Sequence, residues 1–277
     1  MTTPAQARTR ISGLFDELAP VYDQGSVPWF QPIAARLVEL MKPQPGDYVL
    51  DIGAGRGAAT WPLCVAVGLT GRVTAIDLSP VMVEHLEADA RARGLTNLAT
   101  QVGEAGPQTL EPGSFDLVTA SLVLFFDPTP EQTLRDWISL LRPGGRIGLT
   151  TFGPVDDVWR DAERVVLEHA PAHLLDPRTV GIRGPFASTD TMAALLARSG
   201  AAEVDSHDEP LKVVLPDAAA WRAWSMTLGF REVWNAVPED DREPVFAHVS
   251  TVLEGDRGSD GQLHLTQQVR YTTGRVA

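Results

Sequence analysis

The chain has 277 residues and a mass of 29.9 kDa, room for one large α/β domain or for a core domain with a smaller appendage. Its 23 Lys and Arg against 36 Asp and Glu give a formal net charge of -13, which repels polyanions at long range and argues against nucleic acid or an anionic membrane surface as a partner. The single cysteine, Cys64, cannot form an internal disulfide, the N-terminus lacks the apolar run of a signal peptide, and no stretch reaches the roughly 18 apolar residues of a membrane span, so a reducing cytoplasm is expected.

Along the chain, short apolar runs alternate with longer helical patterns, the signature of a parallel sheet wrapped by helices. Residues 1–45 form an N-terminal helical segment, whose outer face leaves a homo-oligomer open. Strands are expected at Tyr48–Ile52, Arg72–Ile76, Ala99–Val102, Phe115–Ala120 and Arg146–Thr151. Between them, Ser79-Pro80 supplies an N-cap with proline at the first helical position, opening a helix that stops near Gly94. Thr129-Pro130-Glu131-Gln132 repeats the device with a capping box, for a helix ending near Leu141. Beyond Thr151 the alternation lapses, and helices are expected over Val155–His169, Thr189–Arg198, Asp217–Trp234 and Arg242–Leu253, with strands over Val204–Leu215 and Gln262–Thr272. His85, His169, His207, His248 and His264 have no metal-ligand spacing with cysteines or carboxylates, so no metal is expected.

The stretch "VLDIGAGRG" (49–57) carries the first chemistry. Gly53, Gly55 and Gly57 let a buried strand turn sharply into a helix while the backbone approaches a ligand closely. Gly53-x-Gly55-x-x-Ala58 also satisfies the relaxed dinucleotide fingerprint, which would make the protein an NAD-dependent dehydrogenase. Asp51 separates the two readings. A carboxylate at the mouth of the loop repels a pyrophosphate and attracts a ligand carrying an ammonium and a sulfonium group, as S-adenosyl-L-methionine does. Arg56 works against this argument if it faces a phosphate, and is neutral if it points to solvent. About 20 residues on, Asp77 ends the "RVTAID" strand, where a carboxylate can accept both ribose hydroxyls. In "VGEA" (102–105), Gly103, Glu104 and the amide of Ala105 follow a third strand and can meet the adenine edge. Asp116 is read as orienting the start of its strand rather than as a catalyst.

These blocks together resemble the class I S-adenosylmethionine-dependent methyltransferases, within them the quinone C-methyltransferase-like group and its actinobacterial small-molecule relatives. The resemblance rests on "FDELAPVYDQ", "VLDIGAGRG", "VTAIDLSPVMVE", "GSFDLVTASLVLFF" and "LLRPGGRIGLTTF", in that order over roughly residues 14–152. It implies a doubly wound, mostly parallel seven-stranded Rossmann-like α/β sheet with its last strand antiparallel. It also implies a cofactor-binding core at 46–152, and a remainder (153–277) carrying a helical substrate lid at about 155–185 and 217–255. The implied cofactor is S-adenosyl-L-methionine, wrapped by Gly53, Ala54 and Gly55 with Asp51 near its ammonium. Asp77 would hold the ribose, Leu78 and Met82 flank the adenine, and Glu104 stands where the family more often has aspartate. Tyr22 would close over the cofactor, and Ser121 and Leu122 would face the transferred methyl.

Such a family builds its acceptor pocket from the lid. Trp221 and Trp224 share a helical face with Leu228, with Phe230 and Trp234 further around; this stripe is either core or pocket wall, as are Trp29, Phe30, Phe125 and Trp159. An aromatic wall suits a small hydrophobic, natural-product or quinone-like acceptor methylated on oxygen or carbon. Methyl transfer from a sulfonium needs mainly positioning; if a base is used, His173 of "APAHLLDP" is the candidate. A different class of function remains open beside this one: a binding module of the same fold, or an enzyme catalysing a rearrangement or cyclisation without methyl transfer.

Overall fold

A computed structural model describes residues 4–23, 25, 27–106, 110–170 and 184–277. Two helices, α1 (Pro4–Leu18) and α2 (Phe30–Met41), precede the first strand, β1 (Tyr48–Ile52). Then α3 (Thr60–Val67), β2 (Arg72–Asp77), α4 (Pro80–Ala92), β3 (Leu98–Val102), β4 (Phe115–Ser121), α5 (Pro130–Ser139) and β5 (Leu141–Val155) follow in alternation. The second half comprises α6 (Asp157–Leu167), α7 (Thr189–Arg198), β6 (Ala202–Leu215), α8 (Ala218–Ser225), α9 (Arg231–Ala236), α10 (Arg242–Glu254) and β7 (Leu263–Arg275).

All seven strands join one sheet in the order β3-β2-β1-β4-β5-β7-β6. Strands β1 to β5 are parallel, and β7 runs antiparallel to both of its neighbours. This is the doubly wound Rossmann-like α/β fold. Its central strands are buried on both faces, as parallel strands covered by helices must be: Val49, Leu50, Ile52, Leu117, Val118, Ile147 and Leu149 are all 1% exposed or less. The order reverses between β1 and β4, so the chain leaves their carboxyl ends in opposite directions and opens a crevice there.

Local chemistry explains where the elements depart from the expected bounds. Ser79 caps α4 as anticipated, its hydroxyl accepting the amide of Met82. Thr129 forms no capping box: Asp127 accepts both its amide and its hydroxyl, and the hydroxyl is spent as a donor. The helix expected from Val155 begins at Asp157, because Val155 still pairs with Gln267 of β7 and Asp156 takes the cap, accepting the amide of Trp159. The single helix expected over Asp217–Trp234 is two helices, α8 and α9. Ser225 and Thr227 turn their hydroxyls back onto the carbonyls of Arg222 and Trp224, which competes with helical continuation, and Gly229 follows. Asp116 does orient a strand start: it accepts the amide of Tyr48 and pairs with Arg142, at the opposite end of the sheet from the crevice.

Candidate functional site

Three buried polar side chains, two on central strands and one on α3, cluster beneath the crevice. Asp51 (1% exposed) lies beside Thr119 of β4, its register partner, and near Thr60, the first residue of α3. Its carboxylate accepts from Thr60 Oγ1 at 2.6 Å and from Thr119 Oγ1 at 2.9 Å. Burial pushes the Asp51 carboxyl up to about 6, against the two hydroxyl hydrogen bonds, and the neighbouring charge of Asp77 adds to the rise.

Asp77, at the carboxyl end of β2, spans the crevice floor. Oδ2 accepts the amide of Gly55 at 2.7 Å and Oδ1 that of Ser79 at 2.9 Å, so one carboxylate ties the glycine loop to the start of α4. Burial raises its carboxyl above the usual range, and the charge of Asp16 on α1 reinforces the shift. Among the described residues neither Asp51 nor Asp77 has an ion-pair partner. Two carboxylates that repel each other out of water form a donor set that fits a cation.

The loop between them carries Gly53 at φ 67° and Gly55 at φ 52°, both in the left-handed region. A Cβ on Gly53 would lie 2.2 Å from Val123 Cγ2, and one on Gly55 would lie 3.6 Å from Tyr22 Cε1. Tyr22 therefore stands over the loop, its ring stacked on Phe30 at 4.4 Å. Burial first, then the charges of Asp77 and Asp23, hold its phenol well above the ordinary value, so it stays neutral.

The crevice consists of two cavities sharing Tyr22, Gly53, Gly55 and Ser121 as common wall. The larger, about 480 Å³, continues past Asp51 and Ala54 to Phe30 and Trp61. The smaller, about 120 Å³, is bounded by Asp77, Leu78, Met82, Gly103, Glu104, Ala105 and Leu122. Every position expected at the cofactor thus faces one crevice. Leu122 sits there at φ 60°, a conformation costing a bulky residue on the order of 1 kcal/mol or more and most often kept at functional sites. Its amide reaches both the carbonyl and the hydroxyl of Thr150, which hold it in place.

The sequence reading missed several members of this wall. Ile11 and Phe15 of α1 close the smaller cavity with Val123 and Phe126, and α1 is tied down by Ser12 Oγ donating to the Leu78 carbonyl. Trp137 Nε1 donates to the carbonyl of Ala105 at 2.6 Å, fixing the turn after β3. Amphipathic spacing in α1 and a tryptophan in α5 were the available signals, and neither points to a partner across the fold. Arg56 borders the larger cavity, where its guanidinium pairs with Asp89 at 2.8 Å and donates to the carbonyl of Ala19.

The proposed acceptor wall is placed differently from expectation. Of its eight aromatics only Phe30 borders either cavity. Trp29, Trp159 and Trp224 pack on one another at 5.1–5.9 Å between ring centroids, and Trp221 packs on Phe230 and Trp234 at 6.1 and 6.3 Å. Phe125 joins the first group through Phe152. Six of these seven belong to the buried core, and Phe230 packs against it. His173 lies outside the described residues. Among the described residues no group of three or more His, Cys, Asp or Glu can hold a metal ion, and no helix is long and apolar enough to cross a membrane.

Comparison with known proteins agrees with this chemistry. Residues 49–145, from β1 into the first part of β5, match the methyltransferase-domain family. The chain is 35% identical over 275 residues to nocamycin O-methyltransferase of Saccharothrix syringae, covering 95% of this chain and 97% of that one. It is 37% identical over 144 residues to aklanonic acid methyltransferase of a Streptomyces species, covering 52% of this chain and 66% of the relative. Among solved structures, the YcgJ protein of a Bacillus shares the fold at a TM-score of 0.59 and 18% identity, covering 88% of this chain and 98% of that one. A relative aligned over nearly its whole length, together with an acidic crevice at the switch point, means that the chain belongs to the class I S-adenosylmethionine-dependent methyltransferases of the small-molecule group.

Proposed function

We propose that the enzyme transfers a methyl group to an oxygen atom of a hydrophobic small molecule, and that residues lining both cavities would hold the cofactor. The observation that carries this reading is the pair of buried carboxylates, Asp51 and Asp77, with no ion-pair partner among the described residues, on either side of a glycine turn. The oxygen preference comes from the relatives, one of which is named for O-methylation. When bound, S-adenosylmethionine supplies an electrophilic methyl on a sulfonium and leaves as a neutral thioether.

The chain's own part is to bind and orient. Asp51 balances the ammonium, Gly53, Ala54 and Gly55 allow close approach of the backbone, and Asp77 accepts from the ribose. Leu78 and Met82 enclose the adenine, with Gly103, Glu104 and Ala105 along its edge. Tyr22 and α1 cover the whole and exclude water, while Ser121 and Leu122 border the methyl. Holding two reactants in line accounts for a large share of the acceleration such a displacement needs. The net charge of -13 and the burial of Cys64 support a reaction on free small molecules in a reducing cytoplasm, without nucleic acid.

Incubating the protein with methyl-labelled S-adenosylmethionine and hydroxylated polycyclic acceptors should yield labelled product and S-adenosylhomocysteine in equal amounts. Cofactor binding without label transfer would leave a binding module or a non-methylating catalyst. Calorimetry with NAD should give no measurable heat, since Asp51 faces the site where a diphosphate would lie. Asp77→Ala should fold and bind S-adenosylhomocysteine at least about tenfold more weakly, the worth of a hydrogen bond to a charged group. Unaltered affinity would remove Asp77 from the ribose.

A further inference from the structure

The wall common to both cavities is made by Tyr22, Gly53, Gly55 and Ser121. Two of these are glycines, so the side chains that meet a group lying across the junction are the Tyr22 phenol and the Ser121 hydroxyl. Tyr22 is carried on the segment that covers the crevice. Ser121 belongs to the sheet: it ends β4, pairs in register with Thr150 of β5, and its Oγ lies 3.0 Å from Thr150 Oγ1.

The direction of this hydroxyl pair follows from where each hydrogen can go. Thr150 is sealed from solvent (0% exposed), and its Oγ1 already accepts the amide of Leu122 at 3.0 Å. A buried hydroxyl hydrogen needs an acceptor, and among the described residues the one within its reach is Ser121 Oγ. Thr150 is therefore the donor and Ser121 the acceptor. Ser121 is half-buried, borders both cavities and has no second hydrogen-bond partner among the described residues, so its own hydrogen is left to point into the crevice. The left-handed φ of 60° at Leu122 belongs to the same device, since that turn of the chain delivers the amide to Thr150.

We propose that Ser121, its hydroxyl aimed by Thr150, donates a hydrogen bond to the acceptor's oxygen, and that the acceptor binds as an anion, a phenolate or enolate. This rests on the reading of the protein as an O-methyltransferase and narrows its acceptor class. On that reading Asp51 takes the ammonium in the larger cavity and Asp77 the ribose in the smaller, so the sulfur that joins these two parts belongs at the junction. A fixed donor there stabilises negative charge on the oxygen that approaches. The acceptor has given its proton to solvent before it binds; its oxygen pair forms the C–O bond, and the C–S pair stays on sulfur. Ser121 keeps its proton throughout. Thr150 touches neither reactant and is a positioning residue.

The test uses para-nitrophenol, a small planar phenol whose anion absorbs visible light, titrated with pH in excess full chain saturated with S-adenosylhomocysteine. Wild type should lower the midpoint of its ionisation by about one pH unit, roughly the tenfold that a hydrogen bond to a charged group is worth. Ser121→Ala and Thr150→Val should each return the midpoint to that of the free dye. Thr150→Ser, which keeps the hydroxyl, should retain the displacement. A packing role for Thr150 gives the opposite order, because valine keeps its shape and serine does not. Ser121→Ala lies on the crevice and reads the proposal should Thr150→Val not fold. Absence of dye binding or of a displacement in wild type overturns the proposal, as does a displacement that survives in Ser121→Ala or Thr150→Val or is lost in Thr150→Ser. A fall in S-adenosylhomocysteine affinity in Ser121→Ala, read by calorimetry, also overturns it, because the hydroxyl would then serve the cofactor. Failure of wild type to bind S-adenosylhomocysteine at all would sink the methyltransferase reading itself and this assignment with it.

Discussion

Asp51→Asn is expected to make the protein more stable and a poorer binder of its cofactor at the same time. The folded protein holds the Asp51 carboxyl at about 6, against 3.8 for the free group. A carboxyl whose folded value is raised favours the folded state in its protonated form; that contribution is complete below 3.8 and is lost as pH rises through about 6. Above this window the ionised carboxylate costs about 3 kcal/mol relative to the unfolded chain. Asparagine removes the charge and can keep both threonine contacts, because the hydroxyls of Thr60 and Thr119 rotate to accept as well as donate. Melting at pH 8 should therefore rise by several degrees, and the difference from wild type should vanish below about pH 4.

Cofactor affinity should move the other way. A close charge pair in a dry site couples by several kcal/mol, so a loss of roughly a hundredfold is expected for S-adenosylmethionine and S-adenosylhomocysteine, which share the ammonium. Methylthioadenosine, which lacks the amino acid portion, should bind both proteins alike. Wild-type affinity should fall as pH drops through about 6, and the variant should lose that dependence. If Asp51→Asn binds S-adenosylmethionine as wild type does, the carboxylate is structural and the ligand's ammonium lies elsewhere.

That a stabilising change should be a functional loss explains what was legible in the sequence. An acid inside the run "VLDIG" contradicts its own strand, and such local conflicts concentrate at sites. Asp51 and Asp77 were readable for this reason, as was the turn between them, since glycine at alternate positions leaves few other purposes. Strands β1 to β5 were readable because apolar runs bounded by Gly and Pro have one common solution in an α/β chain. Thr119 was not: it lies 68 positions from Asp51, and only the parallel register of β4 on β1 makes it a hydrogen-bond partner.

The second half was harder for a related reason. "WRAWSMTLGFREVW" has helical spacing throughout, and only the hydroxyls of Ser225 and Thr227 reveal the break between α8 and α9. Glu163 of α6 sits in a helix with charged residues on most sides, which reads as a solvated face; that its carboxylate accepts from the indole of Trp159, one turn back, shows only once the indole is seen to be buried. Periodicity records which face is apolar. It does not record which polar side chain is folded back across that face.

Gly53→Ala is expected to cost at least about a hundredfold in kcat/KM, and the companion substitution at Val123 shows why. The left-handed φ of 67° charges an alanine about 1 kcal/mol. The larger part is steric: the new Cβ would lie 2.2 Å from Val123 Cγ2 and 3.1 Å from Cγ1, so the loop or the valine must shift by more than an ångström. Both border the crevice, and misplacement on that scale is enough to cost two orders of magnitude. Val123→Ala removes both methyl groups and leaves only its own Cβ, 3.2 Å away. The double variant should then recover to within about tenfold of Val123→Ala alone, the residue of the backbone strain. Gly55→Ala should behave in the opposite manner. Its Cβ meets Tyr22 at an ordinary 3.6 Å, so the protein should fold with only the left-handed backbone strain, about 1 kcal/mol, as the cost. The methyl nevertheless occupies the gap between loop and ring, and S-adenosylhomocysteine binding should fall below detection by calorimetry. Tight binding by Gly55→Ala would place the cofactor elsewhere than under Tyr22, and an unrescued double variant would show that strain rather than the Val123 contact dominates at Gly53.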